Sequence, residues 1–282
     1  MLLDDIVQGK HGDCFILASL ISILHTYGSN FINKIINYQS NNTYNFIYYT
    51  DDKLKKIKNF TYDNSSKILS PKSANWVKQI EYIYIKLFHK NILDLINNGG
   101  TSFDVFSRLI GIKPKIYMNR LFDNKEELYY DFCNNTIVNN NWKIKPFKYL
   151  DIIMKRKITL WIEILWKYLL NNENIEVNTI HSIKTPTTIG INSIFNKITI
   201  PGICNDHCYS IIGIKIDDYG NKYIQVCNPQ NEVETRTTTY NKIDNLFYSN
   251  ISIDRFGLWS LYEVSLFSSE IIYVPIIPPH NL

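Results

Sequence analysis

Cysteine is sparse and odd in number, with five in 282 residues. That argues against a disulfide framework, and reduced thiols in a cytoplasmic compartment are expected instead. The N-terminal stretch MLLDDIVQGK lacks a basic region followed by an apolar core, so no secretory leader is read there. No segment is read as a bilayer span, the apolar run Ile158–Leu170 being broken by Glu163 and Lys167. A one-signed charge is missing too. The net charge is +4, with acids and bases mixed along the chain, whereas a dedicated nucleic-acid binder carries a basic stripe. The short run KLKKIK, Lys53–Lys58, reads as a solvated face. Neither nucleic acid nor a membrane is therefore expected as a partner. No internal repeat is visible.

What is present is apolar and aromatic. Hydrophobic residues make up 45% of the chain and aromatic residues 14%, enough for a sizeable core in one large domain or two compact lobes. Isoleucine, asparagine, lysine and tyrosine are over-used. All have A/T-rich codons, so this bias reflects the coding sequence more than the function.

The pattern predicts a helix from Asp13 to about Tyr27, with Phe15, Ile16, Leu20, Ile23 and Leu24 on one broad face and Gly28 ending it. A second helix is expected over Ser73–Leu87, with Trp76, Ile80, Ile83, Tyr84 and Leu87 at helical spacing. A third starts at Thr101 or Ser102, either of which can cap it, and stops near Gly111. Glu126–Asn135 and Ile158–Leu170 also read as helical. From about Thr187 the texture becomes strand-like. HCYSIIGIKI, then DDYGN, then KYIQVC, gives apolar and β-branched runs around an Asp/Gly/Asn turn, a hairpin signal. LWSLYEVSLF and EIIYVPIIP are strand-rich as well. A mainly helical first half is thus followed by a second half ending in antiparallel sheet.

Cys14 sits where a polar, glycine-broken stretch meets an apolar run, at the start of the first expected helix. A thiol attacks as the thiolate, and a helix N-terminus or a neighbouring imidazolium lowers its pKa. Asp13 beside it works in the opposite sense unless it is engaged in capping. Taken singly, a cysteine beside Phe15 and Ile16 is more often a small buried hydrophobe. The expected hairpin brings Asn228 roughly opposite Ser210 and close to His207, the relationship a catalytic histidine has with the amide that fixes its tautomer. Each of these two also has an ordinary explanation, a core histidine and a strand-ending asparagine. Cys204, His207, Cys208 and Cys227 suggest a zinc cluster at first sight. Adjacent residues on a strand point to opposite faces, however, and no paired C-x-x-C spacing accompanies them.

These segments resemble a known family. DIVQGKHGDCFILASL, Asp5–Leu20, resembles the nucleophile segment of the calpains, papain-like cysteine proteases that read Asp-Ile-x-Gln-Gly-x-x-Gly-Asp-Cys-Trp there. HCYSIIG, His207–Gly213, resembles their His-Ala-Tyr-Ser-Val-x-Gly. VCNPQNEVE, Val226–Glu234, resembles Arg-Asn-Pro-Trp-Gly-Glu-Val-Glu. Weaker likenesses lie between and after them: NWVKQIEYIYIKL to a Trp-x-x-Leu-Leu-Glu-Lys-Ala-Tyr-Ala-Lys-Leu helix, GGTSFDVFSRLIG to the Gly-Gly segment that follows it, and FGLWSLYEV to the end of the second lobe. The segments keep family order.

The resemblance implies an α+β, papain-like two-lobe cysteine protease core. Residues 1–113 would form a helical lobe carrying the nucleophile, and residues 114–282 a β-sheet-rich lobe carrying His and Asn. It implies Cys14 as nucleophile, His207 as base, Asn228 as its orienter, Gln8 as the oxyanion-hole amide and a protein as substrate. Phe15 and Gln230 stand where the family has tryptophan, so one aromatic wall of the cleft is missing. Calcium, which in calpains helps align cysteine and histidine, needs six to eight oxygen ligands. Asp5 matches one family acid, but Ala74, Arg255 and Gly257 stand where others would be, and no EF-hand loop is visible. The expectation is an endopeptidase without calcium or any other cofactor. A silent binding module of the same fold, and a different acyl transfer by the same triad such as deamidation, transglutamination or removal of a ubiquitin-like tag, stay open.

Overall fold

A computed structural model describes residues 1–9, 12–39, 43–50, 53–61, 70–89, 99–118, 128–131, 136–139, 144–146, 162–170, 174–191, 207–230, 256–261 and 268–275. The architecture is α+β. Helix α1 spans Cys14–Ile35, α2 Asn75–Phe88 and α3 Ser102–Ile110, and a further helix covers 162–170. Strands β1 (Ile36–Tyr38), β2 (Thr43–Thr50) and β3 (Lys53–Thr61) form one antiparallel sheet. A six-stranded antiparallel sheet is built from β4 (Lys115–Met118), β8 (His181–Ile191), β9 (His207–Ile216), β10 (Lys222–Cys227), β11 (Phe256–Ser260) and β12 (Ser268–Tyr273), in the order β11-β10-β9-β8-β12-β4. Strands β5 (Leu128–Asp131), β6 (Thr136–Asn139) and β7 (Ile144–Pro146) make a third, small sheet.

The first half is less purely helical than expected, since β1–β3 follow α1 directly. The basic run lies in β3, an exposed edge strand on which Lys53, Lys55, Lys56 and Lys58 face water. Lysines on such an edge discourage pairing with another chain. The helix expected over Glu126–Asn135 is also corrected. Residues 128–131 pair as a strand with Thr136–Asn139, and the rest of that segment lies outside the described residues. Tyr129 and Tyr130 opposite Val138 and Ile137 are strong β-formers, and cross-strand pairing overrides a weak helical pattern.

Helix α1 is the axis of the molecule. Every residue from Phe15 to Leu24 is buried, because α3 and β2 pack against it as well as β8 and β9. A helix apolar all round belongs in an interior. From Cys14 to Asn33 it has no Asp, Glu, Lys or Arg. By length and composition it could cross a bilayer, which corrects the expectation that no segment would pass that test; here it is a core helix. Gly28 takes φ 75°, ψ 176°, a break inside α1 that a side chain would resist, and a second helical stretch runs on to Ile35. Ser22 fastens the helix to the large sheet: its hydroxyl accepts from Thr187 N–H at 2.6 Å and donates to Thr187 C=O at 3.1 Å.

Strand β9 separates two cores. Its even residues Cys208 and Ile212 join the cluster around α1, α2 and α3. Its odd residues Tyr209 and Ile211 join the cluster beneath helix 162–170, with Ile189, Ile224 and Trp259. The faces alternate from Cys208 to Ile212, and beyond the register shift at Gln225/Val226 Ile214 falls on the same side as Ile211.

Candidate active site

Cys14 is the first residue of α1, and Asp13 occupies the N-cap position. An aspartate there usually accepts a hydrogen bond from the helix's own first turn. This one makes no side-chain cap bond. Its carboxylate is fully buried and lies 3.2 Å from Ser70 Oγ instead. The backbone N–H groups of Cys208, Phe15 and Cys14 itself act on the Cys14 thiol and favour its ionised form. Cys208 is the residue after His207. The start of α1 and the first residues of β9 are therefore neighbours in the fold. Ser102 completes the junction, its hydroxyl 3.4 Å from Phe15 O and 3.2 Å from Cys208 Sγ.

The hairpin forms as expected. β9 and β10 pair with Cys227 opposite Ser210, after a register shift between Gln225 and Val226. Asn228 follows directly. Its Oδ1 lies 2.8 Å from His207 Nε2 and accepts from the Gln230 backbone N–H at 2.9 Å. A backbone N–H can only donate, so this second bond fixes which amide atom is the oxygen. His207 must then donate from Nε2, and in the neutral ring Nδ1 is left as the acceptor. Tyr209 packs edge-on to the His207 ring at 4.7 Å between centroids, and Trp259 edge-on to Tyr209 at 4.8 Å. These contacts hold the ring at the sheet end.

Gln8 arrives by a different route. Its backbone N–H donates to Pro229 C=O at 2.8 Å, tying the N-terminal strand to the loop that carries Asn228. Of the four residues singled out from sequence, His207 and Asn228 are joined through their side chains, Gln8 reaches the Asn228 loop through its backbone, and Cys14 neighbours Cys208, the residue after His207.

The electrostatics depart from the sequence expectation. Burial pushes the Cys14 thiol up to about 11; the three backbone N–H groups oppose this and the Asp13 charge adds to it. Burial pushes the His207 imidazole down to about 4, against the hydrogen bond to Asn228. Both shifts favour the neutral forms, a thiol at the part-buried Cys14 and an uncharged imidazole at the buried His207. The helix terminus is present, but removal from water outweighs it.

Of the residues that suggested zinc, Cys208 and Cys227 lie in one hydrophobic core, and among the described residues no group of three or more His/Cys/Asp/Glu is placed to hold a metal. Cys204 lies outside the described residues. The calcium donors do not fit either. The Asp5 carboxylate accepts from Leu2 N–H at 2.8 Å and from Trp76 Nε1–H at 3.1 Å, and Ala74 N–H is bonded to Asp5 C=O. At Gly257 an added Cβ would lie 2.8 Å from Trp259 Nε1. Arg255 lies outside the described residues.

No protein-family model matches the chain, and a search of the curated proteins finds no match. The site is therefore argued from its own geometry. Two residues of the junction escaped the sequence reading, Ser70 and Glu81. Glu81 carried a signal, a carboxylate on the apolar stripe of α2 between Ile80 and Tyr84.

Proposed function

We propose that the chain is a calpain-like, papain-type two-lobe cysteine endopeptidase that hydrolyses protein substrates without calcium. One observation carries the reading. A histidine whose tautomer is fixed by an asparagine stands at the start of a strand packed against the helix that begins at Cys14. As the Cys14 sulfur attacks the peptide carbonyl carbon, His207 Nδ1 takes the thiol proton. The oxyanion is met by the Cys14 backbone N–H and the Gln8 side-chain amide. The imidazolium gives its proton to the leaving amine as the C–N bond breaks. Water, deprotonated by His207, then hydrolyses the thioester and frees Cys14.

The test is labelling with an epoxysuccinyl peptide, with calcium and with chelator, followed by digestion of casein. Modification of Cys14 in both conditions and casein cleavage are expected. Cys14→Ala abolishes both. Gln8→Ala lowers turnover by ~10²–10³, the usual effect of losing one oxyanion donor. Labelling only with calcium would refute the cofactor claim. Labelling without casein cleavage would redirect the reading to a more selective acyl transfer. A second reading, a binding module of the same fold, is favoured by the neutral forms of Cys14 and His207, and absence of labelling in either condition would establish it.

A further inference from the structure

Helix α2 presents Glu81 to the N-cap of α1. Asp13, Ser70 and Glu81 are 0%, 0% and 2% exposed. Ser70 Oγ lies 3.2 Å from Asp13 Oδ2 and 2.7 Å from Glu81 Oε1. A serine hydroxyl has one hydrogen, so it cannot donate to both carboxylates. Asp13 Oδ1 and Glu81 Oε2, both buried, have no other donor. Two ionised carboxylates in this space would leave lone pairs unmet and like charges adjacent, which a protein interior does not tolerate. One additional proton resolves the count. Glu81, whose own burial and the nearby Asp13 hold it well above the usual carboxylate range, is the group that keeps it. The other charge acting on Glu81 is Lys78 of its own helix, which acts in the opposite sense.

We infer that Glu81 is a positioning residue for Cys14: as a carboxylic acid it donates its hydrogen bond to the Asp13 carboxylate across the α1–α2 junction and so holds the N-cap of the nucleophile's helix. The inference deepens the protease reading and rests on it for the role of Cys14. The device explains why Asp13 does not cap its own helix. Drawn toward Glu81 and Ser70, it leaves the first N–H groups of α1 to the sulfur and to a developing oxyanion. It also keeps a second negative charge away from Cys14.

Two substitutions separate a hydrogen bond from simple packing. Glu81→Gln keeps shape and a donor at every pH, and Glu81→Met keeps volume without a donor. Epoxysuccinyl labelling of Cys14 in Glu81→Gln is expected within about twofold of wild type at pH ~6, while Glu81→Met falls about tenfold or more, as misplaced nucleophiles do. The ratio of Glu81→Gln to wild-type labelling rises with pH, because only the wild type can lose its bridging proton. Equal rates in Glu81→Met and wild type, or equal losses in both variants, would overturn the assignment.

Melting temperature gives a readout independent of Cys14. A carboxyl whose folded pKa is raised contributes stability that is full below its unfolded value and is lost as pH rises. Glu81→Gln should therefore gain on wild type steadily as pH climbs above ~4.5. Parallel melting profiles for the two proteins would overturn the bond even if labelling agreed. Should wild type not label at all, the protease reading falls, and the melting comparison alone decides whether Glu81 holds Asp13.

Discussion

His207 has its tautomer chosen by a neighbour's neighbour. The Gln230 N–H orients the Asn228 amide, and that amide commits the Nε2 proton, leaving Nδ1 as the base. Cys14 and His207 are shifted in opposite directions by one cause, burial, which disfavours the charged form of each. On the protease reading proposed above, the thiol keeps its proton until attack, and free Cys14 carries little thiolate at neutral pH. Alkylation of Cys14 by iodoacetamide should follow simple thiol ionisation, slow at neutral pH and still rising as pH approaches the thiol's raised value of about 11. A plateau across pH ~5–8 would instead mean that an ion pair forms in solution. Asn228→Ala should lower kcat more than it raises KM, because it loosens the base without touching substrate contacts.

At the scale of elements, three of the contacts that hold α1 are set by single residues: Ser22 on β8, Asp13 toward α2, and Phe15 on the entry to α3. The last is tight. An added Cβ at Gly100 would lie 2.3 Å from Phe15 Cζ, so only glycine fits where the chain enters α3. Gly100 is therefore a packing requirement of Phe15, whereas Gly99 is favoured by its backbone angle, φ 60°. Gly100→Ala should destabilise by about 1–3 kcal/mol through forced displacement of the ring, read from urea unfolding with an unchanged slope. Ser22→Ala removes the hydroxyl that serves both Thr187 N–H and C=O and should cost about 1–3 kcal/mol by stranding a buried donor. Capping of α3 was legible in advance, since Thr101 accepts from Asp104 N–H and Gly111 takes φ 77° at the other end. The sheet β1–β3 was not, because β3 is charged and mostly exposed and β2 is part-buried along nearly its whole length, so neither shows the alternation of a half-buried strand.

For the whole molecule, two hydrophobic cores meet along one strand, and the junction gathers groups from residue 8 to residue 229. Asp5, the one acid that matches a calcium ligand by resemblance, spends its carboxylate on the entry to α2. Calcium and chelator should therefore give the same melting temperature, since an ion that binds only the folded state raises it by mass action; a rise with millimolar calcium would reopen that site. The amino-acid sequence by itself determined the local features: α1 starting at Cys14, the break at Gly28, the cap of α3 and the hairpin that sets Asn228 beside His207. Those follow from backbone sterics, hydrophobic period and turn chemistry within a few residues. Only the tertiary structure decided the protonation of the site. How far Cys14 and His207 are withdrawn from water, and that Asp13 turns to Ser70 and Glu81 instead of capping its helix, depend on segments about 60 to 190 residues apart in the chain. Desolvation is set by everything packed around a group, and no local pattern carries it.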